Sequence, residues 1–180
     1  MEWRQAGVFN IREHVRHDHS DYHRETTVMG FFGTYQFDGS AWTEGDPESG
    51  PSGPEPWLWV DIHDSDFATI RYAPAGSGTG VAFLNLTPRI YFESDDVSAP
   101  TDVTRESRGL TDWWAARQPG ADVQALASQR EVIAALLASD LEPPVEDAED
   151  KADIFAEMKA ARFLTAMNLP LPDELTRESE

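Results

Sequence analysis

The chain has no cysteine, only two lysines, and no lysine or arginine between Glu25 and Asp66. Without cysteine there is no disulfide framework, no thiol nucleophile and no thiolate metal site. Long apolar runs are missing too. The longest wholly apolar stretch, Val132 to Ala138, falls far short of the ~20 residues a membrane-crossing helix needs. The start Met1-Glu2-Trp3-Arg4 lacks the basic-then-apolar layout of a secretory leader, so a soluble cytoplasmic protein is expected.

What is abundant is negative charge. The 33 Asp and Glu against 14 Lys and Arg give a net charge of −19 at pH 7. The acids come in blocks: nine from Glu25 to Asp66, and twelve against four basic residues from Asp140 to Glu180. Residues 67 to 92 hold only Arg71 and Arg89 and no acid. Such a field repels phosphate and anionic headgroups, which disfavours nucleic acid and membranes as partners, and it attracts basic protein surfaces. At 180 residues the natural expectation is one domain with a sizeable core.

The first two thirds read as strands. Phe9, Ile11 and Val15 alternate with polar residues over about 8 to 16, and Val28 to Phe37 places Met29, Phe31, Tyr35 and Phe37 on one face with Gly33 interrupting it. These two are expected to form a hairpin around a histidine-rich loop. Residues 43 to 56 hold four prolines, three glycines and no aliphatic side chain, which predicts a mobile surface loop. Trp57 to His63 and Phe67 to Ala73 form the clearest hairpin. A three-residue turn, Asp64-Ser65-Asp66, gathers Leu58, Val60, Ile62, Ala68, Ile70 and Tyr72 on one face; a one-residue slip would bury Arg71 there instead. Val81 to Leu86, apolar on both faces, is expected to be central, and Pro88 to introduce a short last strand through Ile90 and Phe92.

After Glu93 the period becomes helical. Pro100 suits a first helical position, and Leu110, Trp113 and Trp114 share a stripe that ends at Pro119-Gly120. Asp122 can cap a second helix running through Leu126, Ile133 and Leu137. An acidic linker covers 140 to 150. A third helix follows over about 150 to 167, with Phe155, Phe163 and Met167 on its apolar arc; Asn168 and Pro170 close it before a short acidic tail. Strands followed by helices predict an α+β domain: an antiparallel sheet of about five to six strands over residues 8–93, then three C-terminal helices.

Three groups of residues carry candidate chemistry. His17, His19, Asp21 and His23 sit at alternate positions and offer ligands for zinc or another divalent transition metal. In an extended segment His17 and His23 would lie roughly 20 Å apart, so a single ion needs the loop to curl. The run His17-Asp18-His19-Ser20-Asp21-Tyr22-His23 resembles the H-x-H-x-D-H signature of the metallo-β-lactamase superfamily of zinc hydrolases. Tyr22 stands where that family needs histidine and only His63 follows downstream, so the assignment is rejected.

Asp61 and His63 project to one face of a strand, where a carboxylate can orient an imidazole or both can hold a metal. Trp57 and Trp59 lie on that same face beside Arg71, the residue types of a binding hot spot unless a second layer buries them. Gly76 to Gly80 is glycine-rich like a phosphate loop, but a strand follows it and no helix N-terminus meets the anion.

Charge and aromatics together predict a non-catalytic inhibitor or shield of the immunity-protein or antitoxin kind that needs no cofactor. It would meet a basic protein partner through Trp57, Trp59, Asp61, His63 and Arg71, with Glu146, Asp147, Glu149 and Asp150 steering the approach. The alternatives are a metal-dependent hydrolase using the His17–His23 loop and a small-ligand-binding domain.

Overall fold

Period-2 alternation builds a sheet with one apolar face, and that face has to be covered. The structure, a computed structural model, describes residues 30–141 and 155–178. The strand expected over 8 to 16, its hairpin, the histidine-rich segment and the Glu146–Asp150 cluster lie outside these residues. Five strands, β1 Gly33–Phe37, β2 Trp42–Glu44, β3 Trp57–His63, β4 Phe67–Ala73 and β5 Val81–Asn85, form one antiparallel sheet in the order β2-β1-β3-β4-β5. Helices α1 Pro88–Tyr91, α2 Val103–Ala115, α3 Val123–Leu136, α4 Ala156–Ala166 and α5 Asp173–Glu178 follow, giving the α+β arrangement read from the sequence.

The β3–β4 register is the one that keeps Arg71 out of the core. His63 pairs with Phe67 across the three-residue turn, Val60 with Ile70 and Leu58 with Tyr72, while Arg71 stands opposite Trp59 on the other face and is exposed. Leu58, Val60, Ile70 and Leu84 are fully buried beneath Leu110 and Trp113 of α2, Ile133 of α3 and Phe163 and Leu164 of α4. Each such aliphatic side chain contributes about 1.5–3 kcal/mol on leaving water. Trp113 locks the layers with a polar contact as well: its indole N–H is shared between the carbonyl oxygens of Trp57 and Ala73, each 3.1 Å away.

Several elements differ from the sequence reading, each for an identifiable reason. Residues Pro88 to Phe92 form no strand. Thr87 caps α1 by accepting the Ile90 N–H, and Pro88 sits inside the first turn, where its missing donor costs nothing. β5 is the last strand rather than a central one; its outer edge is covered where Leu137 bridges Leu84 and the Ala138 N–H donates to the Phe83 carbonyl at 2.7 Å.

Thr43 and Glu44 belong to the edge strand β2, held by the Trp42 indole, which donates to the Pro170 carbonyl at 2.7 Å. Irregular backbone runs from there to β3. Helix α2 begins after Asp102, whose side chain accepts the Arg105 N–H, rather than at Pro100. Phe155 is the N-cap residue of α4, outside its apolar arc, whereas Asn168 at φ 55° closes that helix as expected. The C-terminal tail contains α5, whose Leu175 is fully buried.

Candidate docking site on the second face of the sheet

The alternation that points Leu58, Val60 and Ile62 at the helices points Trp57, Trp59, Asp61 and His63 the other way, with Thr69 and Arg71 of β4 beside them. Three zones share this second face, and each engages its residues differently.

Beside β1, the proline- and glycine-rich segment folds back over the sheet. The Gly45 N–H donates to the Thr34 carbonyl at 2.8 Å, and a Cβ at Gly45 would come within 2.7 Å of the Trp59 ring, so only glycine lets the chain pass this close. The Gln36 side chain holds the same segment further on, accepting the Ser52 N–H at 3.1 Å and donating to the Ser52 carbonyl. Trp59 is thereby left 3% exposed. Asp61 accepts the Thr34 hydroxyl at 2.7 Å. Both residues are engaged within the protein.

Beside β5, Trp57, Thr69, Arg71 and Phe83 line an open trough of about 570 Å³ whose outer wall includes Val97 and Ser98. Trp57 is half-buried here.

At the end of the sheet, His63 is the hub of an aromatic cluster. Its ring stacks on Phe67 at 5.1 Å and meets Phe32 and Tyr91 edge-on at 5.2 and 5.5 Å, while Phe92 lies 6.0 Å away. Phe67 is buried as the floor, but Phe32 and Phe92 are 61% and 50% exposed at the rim. Four separate stretches of chain supply these rings: the lead into β1, the end of β3, the start of β4, and α1 with the residue after it.

The turn beside the cluster is held in place by Ser65. Asp64 and Ser65 both adopt positive φ, at 52° and 59°, which costs non-glycine residues free energy unless the surroundings impose it. Here they do. The Ser65 hydroxyl accepts the Phe31 N–H at 2.7 Å and donates to Glu157 at 3.1 Å. Its backbone N–H donates to the Phe31 carbonyl, and its carbonyl accepts the first N–H of α4, from Ala156, at 2.7 Å. That carbonyl does the work of a cap, because Phe155 has no side-chain hydrogen bond to offer.

The electrostatics of the turn are negative. Burial and the neighbouring Asp64 charge push the Asp66 carboxyl above the ordinary carboxylate range, with His63 opposing them. Burial, and then the charges of Asp64 and Asp66, push the Tyr91 hydroxyl up as well; it donates to Asp64 at 3.4 Å. Aromatic faces next to crowded carboxylates form a surface suited to a lysine or arginine side chain.

Of the residues singled out in the sequence, Trp57 and Arg71 share the trough, Trp59 is buried, Asp61 is bound to Thr34, and His63 belongs to the aromatic cluster. Asp61 and His63 face the same way without forming a pair. Phe32, Phe67, Tyr91 and Phe92 were not singled out as binding residues. The Thr87-Pro88 helix start was the one local signal that could have placed Tyr91 and Phe92 against His63. Among the described residues, no three histidine, aspartate or glutamate side chains converge to hold a metal. His17, His19, Asp21 and His23 lie outside them, as do Glu146, Asp147, Glu149 and Asp150. No described helix is long and apolar enough to cross a membrane. Comparisons with protein families, with curated proteins and with solved structures give no match to this chain.

Proposed function

We propose that this chain is a non-catalytic binding protein of the cytoplasm, an inhibitor or shield of the immunity-protein or antitoxin kind, that engages a basic protein partner through the His63 cluster. One observation carries this reading: Phe32 and Phe92, 61% and 50% exposed, stand at the rim of a ring cluster beside Asp64 and Asp66. Large rings held by their neighbours lose little conformational freedom on binding, and so supply the residence time of a complex. The net charge of −19 supplies its approach. A partner guanidinium or ammonium laid on Phe92 would place its charge near Asp64 and Asp66, and pairing would relieve the crowding of those carboxylates.

The test is capture from native lysate at low and moderate salt, followed by kinetics on the purified pair. A basic partner is expected. Its association should slow as salt screens charges beyond ~8 Å, and its dissociation should quicken roughly tenfold or more with Phe92→Ala. An acidic partner, or binding indifferent to Phe92→Ala, refutes the reading. Stoichiometric zinc in the purified protein would favour the metal-dependent hydrolase suggested by His17, His19, Asp21 and His23.

A further inference from the structure

We infer that the trough beside β5, away from the His63 cluster, is a binding site for a small amphipathic anion: an apolar body ending in a carboxylate. Its floor is the β4–β5 ladder, where Arg71 pairs with Val81 and Thr69 with Phe83, and Trp57 of β3 flanks Arg71 diagonally. The cavity of about 570 Å³ runs into a second of about 320 Å³, sharing Thr79, Val81, Phe83 and Ser98 with it and continuing past Pro100 to Arg105. Each volume falls in the range of roughly 300–1,000 Å³ typical of small-molecule sites.

Three features fix the ligand class. The smaller cavity is walled mainly by apolar atoms, the larger by polar and apolar atoms in similar measure, and both are partly open to solvent, with Val81 at 37% and Val97 at 47% exposure. The Arg71 side chain makes no ion pair or hydrogen bond with any described residue. A guanidinium with no partner among the described residues, beside Trp57 and Val81 and with its Nη1 near Gly50, presents its paired donors to a carboxylate. Ser98 lines both cavities, and its hydroxyl is buried without a hydrogen-bond partner among the described residues.

Of the carboxylates lining the two cavities none pairs with Arg71, and Asp102 is engaged as the cap of α2, accepting the Arg105 N–H at 2.9 Å. Glu106 is already occupied, accepting the Tyr72 hydroxyl at 2.8 Å and the Thr79 N–H at 3.0 and 3.1 Å. Glu55 is exposed at the margin of the larger cavity and makes no ion pair with Arg71. The ligand head therefore belongs at Arg71 and its tail over Val81 and Phe83 toward Pro100.

Decanoate and decanol, titrated calorimetrically into the full chain, separate the contributions of head and tail. Decanoate should bind one to one and about tenfold or more tighter than decanol, the difference expected of a charge-assisted contact. Arg71→Met should erase that preference while leaving decanol binding unchanged; Arg71 is exposed, and an unaltered melting curve confirms that the variant folds. Arg108→Met, which removes the same charge from the surface of α2, should leave decanoate affinity as it was. No decanoate binding at millimolar concentration, equal affinity for the two probes, a preference that survives Arg71→Met, or equal weakening by Arg108→Met would each overturn the assignment.

Discussion

Trp113 and Trp57 lie on opposite sides of the same two strands. Trp113, 1% exposed, is enclosed by helix and sheet and has its N–H shared between two carbonyls. Trp57 is half-buried at the edge of a trough. The helix side of the sheet is filled by aliphatic residues that have no stable alternative to a dry, packed environment. The other side carries rings, hydroxyls and Arg71, side chains that tolerate a wet boundary, and loops with the four-residue helix α1 cover it in part. One face is therefore dry and packed, and the second leaves Trp57, Arg71 and the rim rings Phe32 and Phe92 partly open to solvent.

The sharpest way to break this contrast is a matched pair of truncations. Trp113→Ala should cost about 3–5 kcal/mol in urea unfolding, whereas Trp57→Ala should cost less than half of that. Similar losses would mean that both faces are structural.

Next in size is Ser65→Ala, which removes the acceptor of the Phe31 N–H and the donor to Glu157 while leaving positive φ at that position. A loss of about 1–3 kcal/mol is expected, with Ser65→Gly less harmful than the loss of two hydrogen bonds implies because glycine relieves the backbone. Melting curves for the two variants decide it.

The smallest effect sharpens the comparison by separating stability from binding. The Asp66 carboxyl is raised in the folded protein, so the fold favours its neutral form. That contribution is fully present below the unfolded aspartate value of about 3.9 and fades as pH rises through the folded one. Asp66→Asn stays neutral throughout, and should melt slightly higher than the parent at pH 7 and equal to it below about pH 4. It should also slow association with a basic partner, which would show that the parent gives up stability to hold charge at the cluster.

The β3–β4 register was legible because the alternatives differed by an arginine in the core, a cost no nearby interaction offsets. The caps at Asp122 and Asn168 were legible because they act within a few residues of themselves. Over Pro88 to Phe92, the alternation of Ile90 with Phe92 and the helix start at Thr87-Pro88 fall in the same short window, and the cap prevails. The position of β5 was hidden because a strand with two apolar faces fits a sheet centre and an edge covered by Leu137 equally well. Helix α5 shows no amphipathic period, since Leu175 alone anchors it among charged neighbours. The His63 cluster is drawn from four stretches of chain, and no spacing rule links Phe32 to Tyr91; only the folded turn brings them together.

Ser65 gives that turn a second role. The residue that shapes the turn beside His63 also holds the first amide of α4, so the aromatic cluster and the helix layer share one latch, between positions ninety-two residues apart in sequence at Glu157. Opening the turn frees the Ala156 N–H, and tightening it holds that proton away from solvent. The exchange rate of a single amide on the helical side is thus an internal gauge of the turn's opening on the other, readable without a label.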